Sequence, residues 1–258
     1  MKNLKYLLAL VILLSRTAYG QTNKGTIDPD MEIYLLMGQS NMAGRGKVTD
    51  EYKNISNPRV VMLNKANEWV TAAHPIHFDK PVAGVGPGLA FGIAMANARP
   101  GKKIGLIPCA VGGTSISKWQ PGAFDQSTNT HPWDDAEKRI KEGMKYGIIK
   151  GVIWHQGEGD SNPDSAKVYM DKLVRLIERV RKEVKNEKLP FVAGELGRYK
   201  PNYQLINDVI VHLPEKVRYT AVVSSDDLVH NGDVTHFDSP SADEFGKRYA
   251  KAMLDLVK

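Results

Sequence analysis

The chain has 258 residues, 42% of them hydrophobic and 25% charged, with 23 Gly, 14 Pro and a single Cys. That composition excludes collagen-like, low-complexity and wholly disordered chains, and the length suits one large α/β domain or two small ones, either with a substantial core. The formal charge is +6, but Lys2, Lys5 and Arg16 supply half of it, and the other basic residues are interspersed with acids, so no one-sided basic stripe points to nucleic acid.

Residues 1–20 read as a secretory signal peptide. Lys2 and Lys5 form a positive leader, Leu7 to Leu14 an apolar run, and Ala18-Tyr19-Gly20 a cleavage site before Gln21. The run is too short to span a bilayer. An exported protein, periplasmic or secreted and free of the membrane after cleavage, is therefore expected. A polar segment, 21–31, precedes the domain, 32–258.

Within that domain the first strand is expected over 32–37, ending in Gly38-Gln39-Ser40-Asn41. A second apolar run, 59–63, leads into a long loop with Trp69, His74 and His77, and an Ala-rich helix is expected over 89–98. A strand over 104–110 follows, then a Gly-rich turn and an irregular stretch carrying Trp119 and Trp133. Next come a helix over 134–146 and a strand over 148–154. The clearest helix is 164–184, where Tyr169, Leu173, Leu176, Ile177, Val180 and Val184 recur at spacings of three and four. A strand over 190–196, a helix over 203–213, a strand over 219–224 and a helix over 239–257 complete the chain. Alternating strands and helices, with apolar rather than alternating strands, predict one domain built as a three-layer α/β/α sandwich around a parallel sheet.

Cys109 is alone, so no intramolecular disulfide is available. Its apolar surroundings and lack of a cationic sequence neighbour suit a packing thiol rather than a nucleophile. The seven His show neither His-x-x-x-His zinc spacing nor a Cys-x-x-Cys partner, so neither a metal nor another cofactor is implied.

In an open parallel sheet, ligands sit beyond the carboxyl ends of the strands. Four polar segments would converge there: Gly38-Gln-Ser-Asn-Met-Ala-Gly-Arg-Gly46, Val111-Gly-Gly-Thr-Ser115, His155-Gln-Gly-Glu-Gly-Asp160, and the stretch from Asp226 to His236. Ser40 follows a strand at a turn that Gly38 allows to be tight, a position suited to a nucleophile or to a helix N-cap. Asp233 and His236 are three residues apart, a spacing that brings a base and its orienting carboxylate to one side of a turn. His236 also reads as a solvated loop residue, and Asp233 as an N-cap of the segment that follows. The amides of Ser40, Gly112 and Gly113 and the side-chain amide of Gln156 are donors of the type an oxyanion needs. Gln39, Asn41 and Glu158 are candidate supports, and Glu158 competes with Asp233 as the carboxylate partner of the histidine. His155 and His230 share these loops, whereas His74, His77, His131 and His212 suit surface or packing positions. Trp69, Trp119 and Trp133 suit either sugar stacking or packing.

Taken together, these segments resemble the SGNH hydrolase superfamily, and within it the branch of carbohydrate esterase family six and the sialate O-acetylesterases. The nucleophile block from Gly38 to Gly46, the glycine block from Pro108 to Ser115, Trp154-His-Gln-Gly-Glu158 and Asp233-x-x-His236-Phe-Asp238 carry the similarity. It implies the flavodoxin-like fold of that superfamily, with Ser40 as nucleophile, His236 as base and Asp233 as its orienter. It also implies an oxyanion hole from the Ser40 amide, Gly112 or Gly113, and Gln156. The implied activity is a serine esterase removing O-acetyl groups from a poly- or oligosaccharide, acetyl xylan or sialate esterase-like. A lipase or thioesterase of the same fold and a non-catalytic carbohydrate-binding protein are the alternatives.

Overall fold

A computed structural model describes residues 27–257. The expected leader, 1–20, and most of the polar segment, 21–31, lie outside the described residues.

The elements in chain order are β1 (Met31–Gly38), α1 (Ser40–Ala43), α2 (Asp50–Lys53), β2 (Val60–Leu63), β3 (Trp69–Thr71), α3 (Pro87–Ala98), β4 (Lys103–Pro108), α4 (Pro132–Gly143), β5 (Ile148–His155), α5 (Pro163–Glu183), β6 (Phe191–Gly194), α6 (Gln204–Ile210), α7 (Leu213–Lys216), β7 (Thr220–Val223) and α8 (Ser239–Leu256). The strands form one sheet in the order β3-β2-β4-β1-β5-β6-β7. Every pairing is parallel except that of β3 with β2. The parallel, doubly covered sheet is as expected. The antiparallel edge strand was not, because three residues around Trp69 are too few to show a period.

All eight residues of β1 are buried, which follows from its central place between β4 and β5. Its side chains alternate between two cores. Ile33, Leu35 and Met37 pack with the apolar stripes of α4, α5 and α6, while Tyr34 and Leu36 pack with α3 and α8. The expected stripe of α5 faces the sheet as its spacing requires, with Tyr169, Leu173, Leu176, Ile177 and Val180 buried. Asn162 caps α5 by accepting from the Ser165 amide, and Asp238 caps α8 by accepting from the Ser241 amide, so both helices begin where a side chain satisfies a free N–H.

Cys109 is buried, and burial pushes its thiol up to about 12, in keeping with a packing role. Trp119 and Trp133 are also buried, Trp119 edge-on to Trp154 and Trp133 beneath the Arg179 guanidinium. These two rings are packing residues and offer no face to a sugar. Trp69 is half-buried against Tyr146.

Three enclosed imidazoles, His74, His77 and His155, lie below their ordinary range because burial disfavours the charged ring, and His74 and His77 are lowered to about 4. The unfolded chain gains these protons near pH 6.5, before the folded chain does, so stability is lost as the pH drops below about 6.5. Calorimetry across pH 8 to 4 is expected to show Tm declining through the window from about 6.5 to 4. His74→Gln is expected to make that decline shallower, and an equal or steeper decline would contradict the assignment.

Candidate active site

The carboxyl ends of β1, β4 and β5 bring three of the four predicted segments together, and the loop before α8 supplies the fourth. Gly38 ends β1 at φ 131°, and a Cβ there would overlap the His155 carbonyl. That close approach lets the Gln39 amide donate to His155 O at 2.8 Å and turns the chain sharply into α1. Ser40 is the first residue of this short helix.

Ser40 Oγ lies 2.9 Å from His236 Nε2, and His236 Nδ1 lies 2.6 Å from Asp233 Oδ2. Asp233 doubles back on itself: its Oδ1 accepts from the amides of Thr235 and His236, both at 2.8 Å. Val234 sits at φ 53° to permit this, an uncommon conformation for a β-branched residue. His230 steadies the same turn, its Nδ1 accepting from the Gly232 and Val234 amides. Burial raises the Asp233 carboxyl, but the hydrogen bonds from His236 and Thr235 outweigh it and hold the group below the usual carboxylate range. The ionised carboxylate accepts only, so Nδ1 carries the proton and Nε2 is left to accept from the Ser40 hydroxyl.

Glu158 does not share this position. Its Oε2 accepts from Gln39 Nε2 at 2.6 Å and its Oε1 from Asn41 Nδ2 at 2.5 Å. Asn41 in turn spans the two halves of the site: Nδ2 also donates to Thr235 O at 3.0 Å, and Oδ1 accepts from the Phe237 amide at 3.0 Å. The residues on both sides of His236 are thus tied to the residue after Ser40. His155 is fully buried between Phe237 and Phe245, 3.6 Å from Glu158, so it backs the site rather than lining it.

The expected oxyanion donors divide. The Gly112 amide donates to Asp79 Oδ2 at 2.9 Å. The Gln156 amide donates to Asp160 Oδ2 at 2.5 Å and Thr114 O at 3.1 Å, while its Oε1 accepts from the Tyr169 hydroxyl. Neither Gly112 nor Gln156 therefore offers a free N–H in this arrangement, because each is committed to a buried carboxylate; of the two glycines left open by the sequence, Gly113 is the one whose amide is free. The amides of Ser40 and Gly113 make no hydrogen bond among the described residues, and Gly113, at φ 93°, holds a backbone turn suited to glycine.

Two residues of this neighbourhood, Asp79 and Phe78, carried no sequence signal, and a third, Asp160, lay in a predicted segment without a predicted role. Asp79 pairs with Arg45 at 2.7 Å, both side chains almost completely buried. Asp160, raised by burial, fixes Gln156 and the Ile116 amide. Phe78 lies beside Asp79 in the long loop. Among the described residues, no group of three or more His, Cys, Asp or Glu gathers to hold a metal, and no helix is long and apolar enough to cross a membrane.

A family model described as carbohydrate esterase, sialic acid-specific acetylesterase, matches residues 30–255. The chain belongs to this family. The esterase is 30% identical over 246 residues to a probable carbohydrate esterase of Arabidopsis thaliana, covering 88% of this chain and 91% of the relative. A solved Arabidopsis thaliana structure superposes with a TM-score of 0.78 at 29% identity, over 90% of this chain and 100% of that one. A carbohydrate acetylesterase of Xanthomonas citri shares the fold, with a TM-score of 0.69 at 18% identity, over 87% of this chain and 56% of that one. The activity class is that of a carboxylic ester hydrolase.

Asn41 touches both sides of the site without reaching its open face, so its expected effect is on placement. Asn41→Ala removes the tie to both flanks of His236 and leaves Glu158 without one donor, and a displacement near 1 Å costs on the order of 100-fold in rate. We expect kcat to fall by about 10- to 100-fold with KM for a small acetate ester changed by less than about threefold. An unchanged kcat would overturn this role.

Proposed function

We propose that this carbohydrate esterase is a serine hydrolase that releases acetate from an O-acetylated glycan through an acetyl-Ser40 intermediate. The observation that carries the proposal is the unbroken line from Asp233 through His236 to Ser40, with contacts of 2.6 and 2.9 Å. Ser40 Oγ attacks the acetyl carbonyl carbon while His236 Nε2 takes the hydroxyl proton. The charge on the carbonyl oxygen is met by the Ser40 and Gly113 amides, the two free donors of the expected set. His236 then protonates the departing sugar oxygen. In the second half, His236 takes a proton from water, hydroxide adds to the acetyl carbon, and Ser40 leaves with the proton returned to it. Acetic acid, which gives up its proton to solvent to become acetate, and free enzyme result.

Asp233 is the orienting carboxylate in this reading and Glu158 a brace. No cofactor or metal has a part in the cycle. The leader expected over residues 1–20 favours an exported enzyme acting on glycans outside the cytoplasm. The rival of a lipase or thioesterase predicts turnover that holds or rises with acyl length, and the rival of a binding module predicts no turnover.

Ser40→Ala and His236→Ala are each expected to lower acetate release by at least about 10⁴-fold with the fold retained, as judged by circular dichroism. Substantial residual turnover in either sinks the triad. Asp233→Asn leaves a neutral partner that no longer fixes the imidazole. Because Asp233 is half-exposed and screened, the expected loss is about 10²- to 10³-fold rather than the larger loss seen for buried triad carboxylates. Acyl esters of two to eight carbons should show turnover falling steeply beyond acetate.

A further inference from the structure

Beside the glycine block lies a cavity of about 310 Å³ that the catalytic cycle does not use. Its size falls within the range of ligand clefts, roughly 300 to 1,000 Å³. Phe78, Asp79, Val111, Thr130, Arg139 and Lys65 are among the residues lining it.

Two features of its wall point to a ligand. Asp79 is the first. One of its oxygens, Oδ2, accepts from both Arg45 and the Gly112 amide, but Oδ1 is buried and has no hydrogen-bond partner among the described residues. A carboxylate oxygen enclosed without a donor is costly to leave unpaired, so the site is incomplete as it stands. The second is Phe78, which is 38% exposed for so large an apolar residue. The Arg139 guanidinium stands 4.8 Å from its ring centroid. That guanidinium is itself fixed, donating to Pro108 O at 2.8 Å and Leu63 O at 2.5 Å, the carboxyl ends of β4 and β2. The ring therefore has a rigid backing and exposed surface beside a largely apolar cavity with a few polar groups in its wall.

The wall of the cavity is bonded directly to the loops that carry Ser40 and the glycine block. Val111 in its wall donates to Gly38 O at 3.0 Å, two residues before the nucleophile, and Asp79 holds the amide next to Gly113. An exposed aromatic face, a carboxylate acceptor, the Thr130 hydroxyl and the Lys65 ammonium together suit a ring that presents C–H groups on one side and hydroxyls around its rim.

We propose that this cavity is a glycan subsite, in which a sugar residue neighbouring the acetylated one stacks on Phe78 and donates a hydroxyl to Asp79. The inference rests on the glycan esterase reading above. It makes the enzyme prefer oligosaccharides to acetylated monosaccharides, since a single sugar over Ser40 leaves the subsite empty.

The test compares KM for acetylated xylotetraose, O-acetylated sialyllactose and phenyl acetate in wild type, Phe78→Ala, Phe78→Trp and Thr130→Trp. For whichever oligosaccharide wild type cleaves, Phe78→Ala is expected to raise KM about tenfold relative to its effect on phenyl acetate, the scale of one lost stacking contact. Phe78→Trp restores it. Thr130→Trp, which crowds the cavity without touching Phe78, raises the oligosaccharide KM independently. On the Ser40→Ala background the same variants should weaken oligosaccharide binding in calorimetry to the same degree. Oligosaccharide KM within twofold of wild type in both Phe78→Ala and Thr130→Trp overturns the subsite while leaving the esterase reading intact. Wild-type turnover of phenyl acetate with no acetate released from either oligosaccharide counts against the glycan reading and the subsite together.

Discussion

Ser40 and His236 stand 196 positions apart in the chain, and the side chain of Asn41 is what holds their two loops in register. With three protein partners, it satisfies the Phe237 amide and the Thr235 carbonyl on the histidine side and meets Glu158 on the β5 side. Glu158 extends the same brace to Gln39. Ser40, His236 and the loop after β5 are therefore tied into one hydrogen-bonded unit. Removing any member leaves others buried and unpaired, and that cost is what makes the arrangement specific rather than merely favourable.

The sheet makes this brace possible. β1 is buried along its length and lies between β4 and β5, so the turn after it opens onto loops from both neighbours. The half-exposed Asp233 sits at the outer rim, where water screens its pairing with His236. Its orientation comes instead from the local turn, in which Val234 accepts a left-handed conformation so that one carboxylate oxygen can bind two successive amides while the other faces the ring. Geometry replaces low dielectric as the means of fixing the imidazole.

Much of this was legible in the sequence because it depends on local patterns. The buried strands, the stripe of α5 and the polar segments following β1, β4 and β5 are written in short windows, and Asp233 and His236 are close enough to betray each other. Most of what was not legible depends on partners distant in the chain. Gly112 and Gln156 have the right chemistry for oxyanion donors, yet Asp79, 33 positions from Gly112, engages the first, and nothing around residue 79 announces that; Asp160, only four positions from Gln156, engages the second, through a loop turn that the polar segment after β5 does not spell out. The three loop tryptophans look equivalent in sequence, but Trp119 and Trp133 are enclosed by α5 and the sheet. β3 is too short to carry a period, and its pairing is set by β2 beside it.

The lone thiol has a consequence of its own. Cys109 lies against the end of β4, enclosed, with its thiol pushed up to about 12, so the native molecule presents no reactive thiol to oxidants or alkylating agents. Once the sheet opens, the same side chain becomes an ordinary reactive cysteine. As the sequence contains one cysteine, its labelling is a single-channel gauge of how often the centre of this sheet breathes, read without a tag and without disturbing the catalytic loops.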